Sequence, residues 1–128
     1  MKKILYKRYD LQVDTPGAIV RTEVELDKFT SRVTGFQLCA DRDDLLYMRG
    51  TLGVRLNSEE IYPEEYEAKL LQSGLAVSPD LRYAKVDRAP GNQKLNLHYR
   101  DQENPQAPFA AYRVSVYVRC EMLEDGAH

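Results

Sequence analysis

The stretch from Ala110 to Met122 constrains the fold more than any other part of the chain. Tyr112, Val114, Val116, Val118, Cys120 and Met122 occupy alternate positions, and Arg113, Ser115, Arg119 and Glu121 lie between them, with Tyr117 the exception. A period of two held over that length marks a strand with one face in a core and the other in water. Three valines at successive positions of one face favour a pleated surface over a helix. A strand of this kind is an aggregation hazard while unpaired. The rest of the chain is therefore expected to flank it on both sides.

Other segments repeat the pattern. Ile4 to Val13 reads as a strand with Leu5, Tyr9, Leu11 and Val13 on one face and Lys7 among them. In Asp14-Thr15-Pro16-Gly17, Pro16 presets φ and Gly17 can take the positive φ that a type II turn needs. Ala18 to Leu26 follows as a second strand, expected to pair with the first as a long hairpin. Asp27 to Thr34 reads as a connection, Gly35 to Ala40 as a strand, and Asp41 to Asp44 as a charged turn. Leu45 to Arg49 and Thr51 to Leu56 read as short strands joined at Gly50. Leu75 to Val77 and Leu81 to Val86 are further short strands, and Ala89 to Asn92 repeats the Pro-Gly turn chemistry. Lys94 to Arg100 places Leu95, Leu97 and Tyr99 inward.

Helix signals gather only in Pro63 to Gln72. A proline suits a first turn, glutamates suit the positive end of the dipole, Glu65 precedes Lys69 by four, and Gly74 offers a stop. Against this, Tyr66, Ala68 and Leu70 alternate as a strand would.

Eight or nine strands with at most one short helix (about 63–72) predict an all-β fold. The 128 residues show no internal repeat and no linker, so a single domain over 1–128 is expected. Long terminal strands, short middle strands and uneven connections favour an antiparallel β-sandwich, jelly-roll-like, over an up-and-down barrel with its more even hairpins.

Composition narrows the function. A net charge of −2, spread along the chain, lacks the positive excess of a nucleic-acid face. No apolar run is long enough to span a bilayer. The Met1-Lys2-Lys3 opening is followed by Tyr6, Lys7, Arg8 and Asp10, which break the apolar run of a signal peptide. Cytoplasmic synthesis without a signal peptide is the expectation, with a virion as the other location. Cys39 and Cys120 read as two free core thiols, with a disulfide open to them only if their strands lie adjacent or face each other at bridging distance.

No catalytic, cofactor or metal residues are expected. Asp41, Asp43 and Asp44 lack the glycine and the oxygen count of a calcium loop. The glutamates from Glu59 to Glu67 form an exposed run that does not drive two pKa values apart. His98 shares an outer strand face with Asn96 and Arg100, and no zinc-ligand spacing accompanies it. The glycines form no nucleotide-binding loop. One segment stands apart: Ile61, Tyr62, Pro63 and Tyr66 form an apolar patch in an acidic setting, either a cap on the core or a partner-binding knob with aromatic anchors.

The function expected from this is a non-enzymatic structural or assembly subunit, a self-assembling particle or bacteriophage virion component. Its partners would be proteins, as a homo-oligomer or larger assembly, met through the long first and last strands or the Ile61–Tyr66 knob. The alternative is a carbohydrate- or small-ligand-binding β module, in which exposed Tyr and Arg near Asn and Asp would meet the ligand.

Overall fold

The computed structural model describes residues 3–57, 59–72, 82–91 and 93–122. The elements are β1 (Lys3–Val13), β2 (Ile19–Glu25), β3 (Thr30–Ala40), α1 (Asp43–Arg49), β4 (Gly50–Leu56), β5 (Glu59–Tyr62), β6 (Ala84–Arg88), β7 (Lys94–Asp101) and β8 (Tyr112–Met122). A 3-10 turn, Ala68–Leu71, follows β5. The strands form two four-stranded antiparallel sheets, ordered β1-β8-β3-β6 and β2-β7-β4-β5. This is the all-β sandwich that the alternation implied.

The valine-rich strand is flanked on both sides. β8 pairs along its whole length with β1, from Lys3 opposite Met122 to Val13 opposite Tyr112, and its other edge pairs with β3. Val114, Val116 and Val118 are fully buried. One apolar cluster takes Leu11, Val13, Phe36 and Leu38 from this sheet and Leu52, Val54, Leu95 and Leu97 from the other. Each such side chain contributes about 1.5–3 kcal/mol by leaving water, so these alternating faces are the main force holding the sheets together.

Four local expectations are corrected. The first two strands do not form a hairpin: β1 pairs with β8 and β2 with β7, in different sheets. The turn between them is nonetheless as expected, with Gly17 at φ +74° and Ala18 N–H donating to Thr15 O at 3.2 Å. A type II turn splays its flanking strands, whereas tight hairpins favour the mirror-image turns. Pro16 therefore sends the chain across to the second sheet.

β3 begins at Thr30, well before Gly35. Register shifts between Thr30 and Arg32 and between Val33 and Gly35 break the two-residue period, which is why Asp27 to Thr34 looked like a connection.

The α-helix lies at Asp43–Arg49, where a charged turn and a strand were expected. Leu45, Leu46 and Arg49 are buried together, the i, i+1, i+4 spacing of a helix face. Asp43 and Asp44 sit in its first turn, where negative charge is favoured.

Pro63 to Gln72, in turn, is not an α-helix. After β5 the chain turns, with Tyr66 N–H donating to Pro63 O, and Tyr66 O accepts from Leu52 N–H at 2.8 Å. Only Ala68–Leu71 closes into a 3-10 turn. Pairing with β4 thus wins over helix propensity, a weak preference that tertiary contacts readily override.

The late strand expected at Leu81 to Val86 runs from Ala84 to Arg88. Residues 75–77, also expected as a strand, lie outside the described residues. No helix among the described residues is long and apolar enough to cross a membrane.

Candidate functional site

The outer face of the β2-β7-β4-β5 sheet carries a hollow of about 550 Å³. Strand register builds its floor in two rows. Arg21 of β2 stands beside His98 of β7, which stands beside Gly53 of β4. In the next row Glu23, Asn96, Arg55 and Glu60 follow one another across all four strands.

Gly53 lets the wall of the hollow close down onto the sheet. It leaves its row without a side chain, and the segment after β5 folds over it. A Cβ there would lie 2.8 Å from Glu64 Cα and 3.2 Å from Glu64 N, so backbone rather than a flexible side chain blocks it. Glu64 then reaches back along the wall, its Oε1 3.1 Å from His98 Nδ1. His98, expected to be an ordinary surface histidine, is only 16% exposed under this cover.

Of the expected partner-binding residues, Tyr62 and Pro63 line this hollow, and Ile61 and Tyr66 do not. All four are half-buried. The Tyr62 ring meets Phe36 edge-on at 5.9 Å and lies 4.6 Å from the Tyr66 ring. Burial pushes the Tyr62 phenol up, and neighbouring Tyr66 adds to the shift. These two tyrosines thus spend much of their apolar surface on the flank of the core, and the wall of the hollow is raised upon them.

Sequence reading missed Arg21, Gly53 and Arg55 as one group. They sit on strands far apart in the chain, and only the sheet order brings them together.

The acidic turn is spent on local structure. Asp41 accepts from Arg113 N–H at 2.8 Å, Asp43 from Ala40 N–H at 2.9 Å, and Asp44 pairs with Arg42. Among the described residues no group of three or more His, Cys, Asp or Glu side chains converges as a metal site.

A second cluster is wholly interior. Arg49, at the end of α1, donates Nε and Nη2 to the Asp101 carboxylate at 3.0 and 2.8 Å, and Nη1 to Ala107 O at 2.8 Å. Asp101 also accepts from Gly17 N–H at 2.9 Å and from the Tyr112 hydroxyl at 2.7 Å. The Tyr99 hydroxyl lies 2.8 Å from that of Tyr112. The Arg49 and Asp101 side chains are 3% and 0% exposed. This set joins α1, the β1–β2 turn, the end of β7, the β7–β8 loop and the start of β8.

The electrostatics are those of a clamp. Burial pushes the Asp101 carboxyl up, but the hydrogen bonds from Arg49, Gly17 and Tyr112 outweigh it and hold the group below its ordinary range. Burial also raises both phenols, Tyr99 and Tyr112. Every strong donor and acceptor here is already matched and no substrate can approach, so the cluster binds the chain to itself.

Cys39 and Cys120 are both free, as expected, though Cys39 is only partly buried. Burial raises both thiols, that of Cys120 to about 11. Since the thiolate is the reactive form, Cys39 is expected to titrate with an aromatic disulfide reagent in the native state. Cys120 should react only on unfolding. Equal rates for the two would contradict this packing.

Comparison with models of known protein families, with curated proteins and with solved structures finds no match to this chain.

Proposed function

We propose that the chain is a non-enzymatic assembly subunit, a jelly-roll block that acts through protein–protein contacts in a self-assembling particle such as a bacteriophage virion. The observation that carries this reading is the strand order, 1-8-3-6 in one sheet and 2-7-4-5 in the other. It sets the first strand beside the last and alternates early with late strands, which supports a jelly-roll winding of two Greek keys. Capsid domains share that architecture with lectins and cupins, and the step from architecture to role is fold-level analogy. A supporting observation is that the one deeply buried ionic cluster among the described residues is consumed in closing the sandwich.

The topology also sorts the surfaces that could make contacts. β8 is interior to its sheet and flanked on both sides as expected, so the last strand has no free edge to offer a partner. β1 is an edge, but Lys7 points a half-buried charge inward from it, a device that discourages strand addition. The edges of β2, β5 and β6 remain, as do sheet faces and corners, among them Tyr6, 51% exposed and 5.5 Å from the Tyr83 ring, and the Ile61–Tyr66 segment.

Light scattering across a concentration series is expected to show a discrete oligomer, weakened in Tyr6→Glu. A monomer at every concentration, with no protein partner retained from a host lysate, would overturn the reading. A second reading, a small-ligand-binding β module, is favoured by the hollow above β4 and β7.

A further inference from the structure

We infer that the hollow over Gly53 is a binding site for a neutral saccharide. This rests on the ligand-module reading and gives it a ligand class. The volume, about 550 Å³, lies within the range of roughly 300–1,000 Å³ usual for small-molecule sites, with room for a short oligosaccharide.

The lining selects among ligand chemistries. Arg21, Arg55 and Asn96 bring hydrogen-bond donors, and Glu23, Glu60 and Glu64 bring acceptors. Glu65 adds a fourth carboxylate against two guanidinium groups, so a free anion would meet an excess of like charge. A small cation would be drawn by that excess, but it accepts no hydrogen bond and would leave the donors of Arg21, Arg55 and Asn96 without partners. An apolar ligand would strip water from charged groups and give nothing back. A sugar hydroxyl both donates and accepts, so a polyol can satisfy both kinds of partner without carrying a net charge into the site.

Geometry supports the same class. Register interleaves donors and acceptors: Glu23, Asn96, Arg55 and Glu60 run in sequence across the sheet. Adjacent hydroxyls of a pyranose are spaced to bridge such neighbours. Pro63 gives the wall an apolar ring against which the C–H face of a sugar can rest. No ion pair or hydrogen bond to another described side chain engages Arg21, Arg55 or Asn96, so these donors are free to turn to a ligand.

The test is a titration of the full chain followed by amide NMR. The probes are neutral trisaccharides (of glucose in α and β linkage, of mannose, of N-acetylglucosamine), with citrate and putrescine as charged probes. At least one trisaccharide is expected to shift the amides of residues 21–23, 53–55 and 96–98 saturably. Its affinity should fall at least tenfold in Arg55→Ala and in Asn96→Ala, with native circular dichroism and melting retained in both. If citrate or putrescine binds here and no saccharide does, the saccharide assignment is overturned and the ligand-module reading stands. If no probe shifts these amides, both fall. Saccharide binding that survives both substitutions places the sugar elsewhere and overturns the site.

Discussion

Asp101→Ala is expected to destabilise the protein by about 3–5 kcal/mol at neutral pH, the cost of leaving one member of a buried ion pair without its partner. The Arg49 guanidinium would stay 3% exposed with two donors unmatched. Gly17 N–H and the Tyr112 hydroxyl would lose their acceptor as well. Since domains of this kind are stable by about 5–15 kcal/mol in total, the variant should show a large drop in the urea midpoint with little change in slope. The exposed pairs Arg8–Asp10, Arg32–Asp87 and Arg42–Asp44 are the contrast, because water screens them and they add little to stability. Arg42→Ala should barely register on the same scale. Replacing both partners, as Arg49→Met with Asp101→Leu, should recover most of the loss, because neither charge is then stranded. Recovery would be incomplete, since Ala107 O also loses its donor. An Asp101→Ala cost below about 1 kcal/mol would contradict the burial described here.

The same carboxylate fixes a pH dependence. Its folded pKa lies below the ordinary 3.8, so the native state binds its proton less readily than the unfolded chain. Its stabilisation is then fully present above about pH 4 and is lost as pH falls through the depressed folded value. Asp101→Asn, which keeps the shape and removes the charge, should lower stability at pH 7 and flatten the acid limb of the stability profile. An unchanged acid limb would assign that limb to other carboxylates.

What could be read in the sequence followed from how far each signal travels along the chain. The β8 alternation is local and strong, and its burial followed from residues 112–122 alone. The Pro16-Gly17 turn was legible for the same reason, yet the sheet that each flanking strand joins was not, because register with β7 and β8 is set by residues 69–119 positions away. At α1, Leu45, Tyr47 and Arg49 alternate as a strand would, while Leu45, Leu46 and Arg49 satisfy a helix. The arginine decided it, and an arginine counts as polar until Asp101 is known to receive it. The hollow was legible only as parts. Tyr62 and Pro63 drew notice as apolar residues in an acidic run, whereas Gly53 contributes by what it lacks, and no alternation pattern records that.

Gly50 offers the sharpest test of the interior cluster, and Gly50→Ala is expected to cost about 2–6 kcal/mol. Its backbone, φ −97° and ψ 139°, is open to any residue, so conformational freedom is not what requires glycine. Space is. A methyl at this position would fall on the Tyr99 hydroxyl, with Leu46 O 2.9 Å away. Tyr99 cannot easily retreat: it is fully buried, its hydroxyl bonds that of Tyr112, and its ring stands edge-on to the Tyr112 ring at 6.2 Å. Overpacking of about 1–3 kcal/mol therefore combines with a broken buried hydrogen bond of about 1–3 kcal/mol. Removing the obstacle should reverse the sign of the interaction. Tyr99→Phe alone should cost about 0.5–1.5 kcal/mol, since Tyr112 keeps its bond to Asp101. The double variant should be more stable than Gly50→Ala alone, because the methyl then occupies the space the hydroxyl left. A double-mutant cycle by urea unfolding would read this as a coupling of about 1 kcal/mol or more. Strict additivity would mean that the methyl meets Leu46 O first, and that α1 rather than β7 sets the fit at this end of the sandwich.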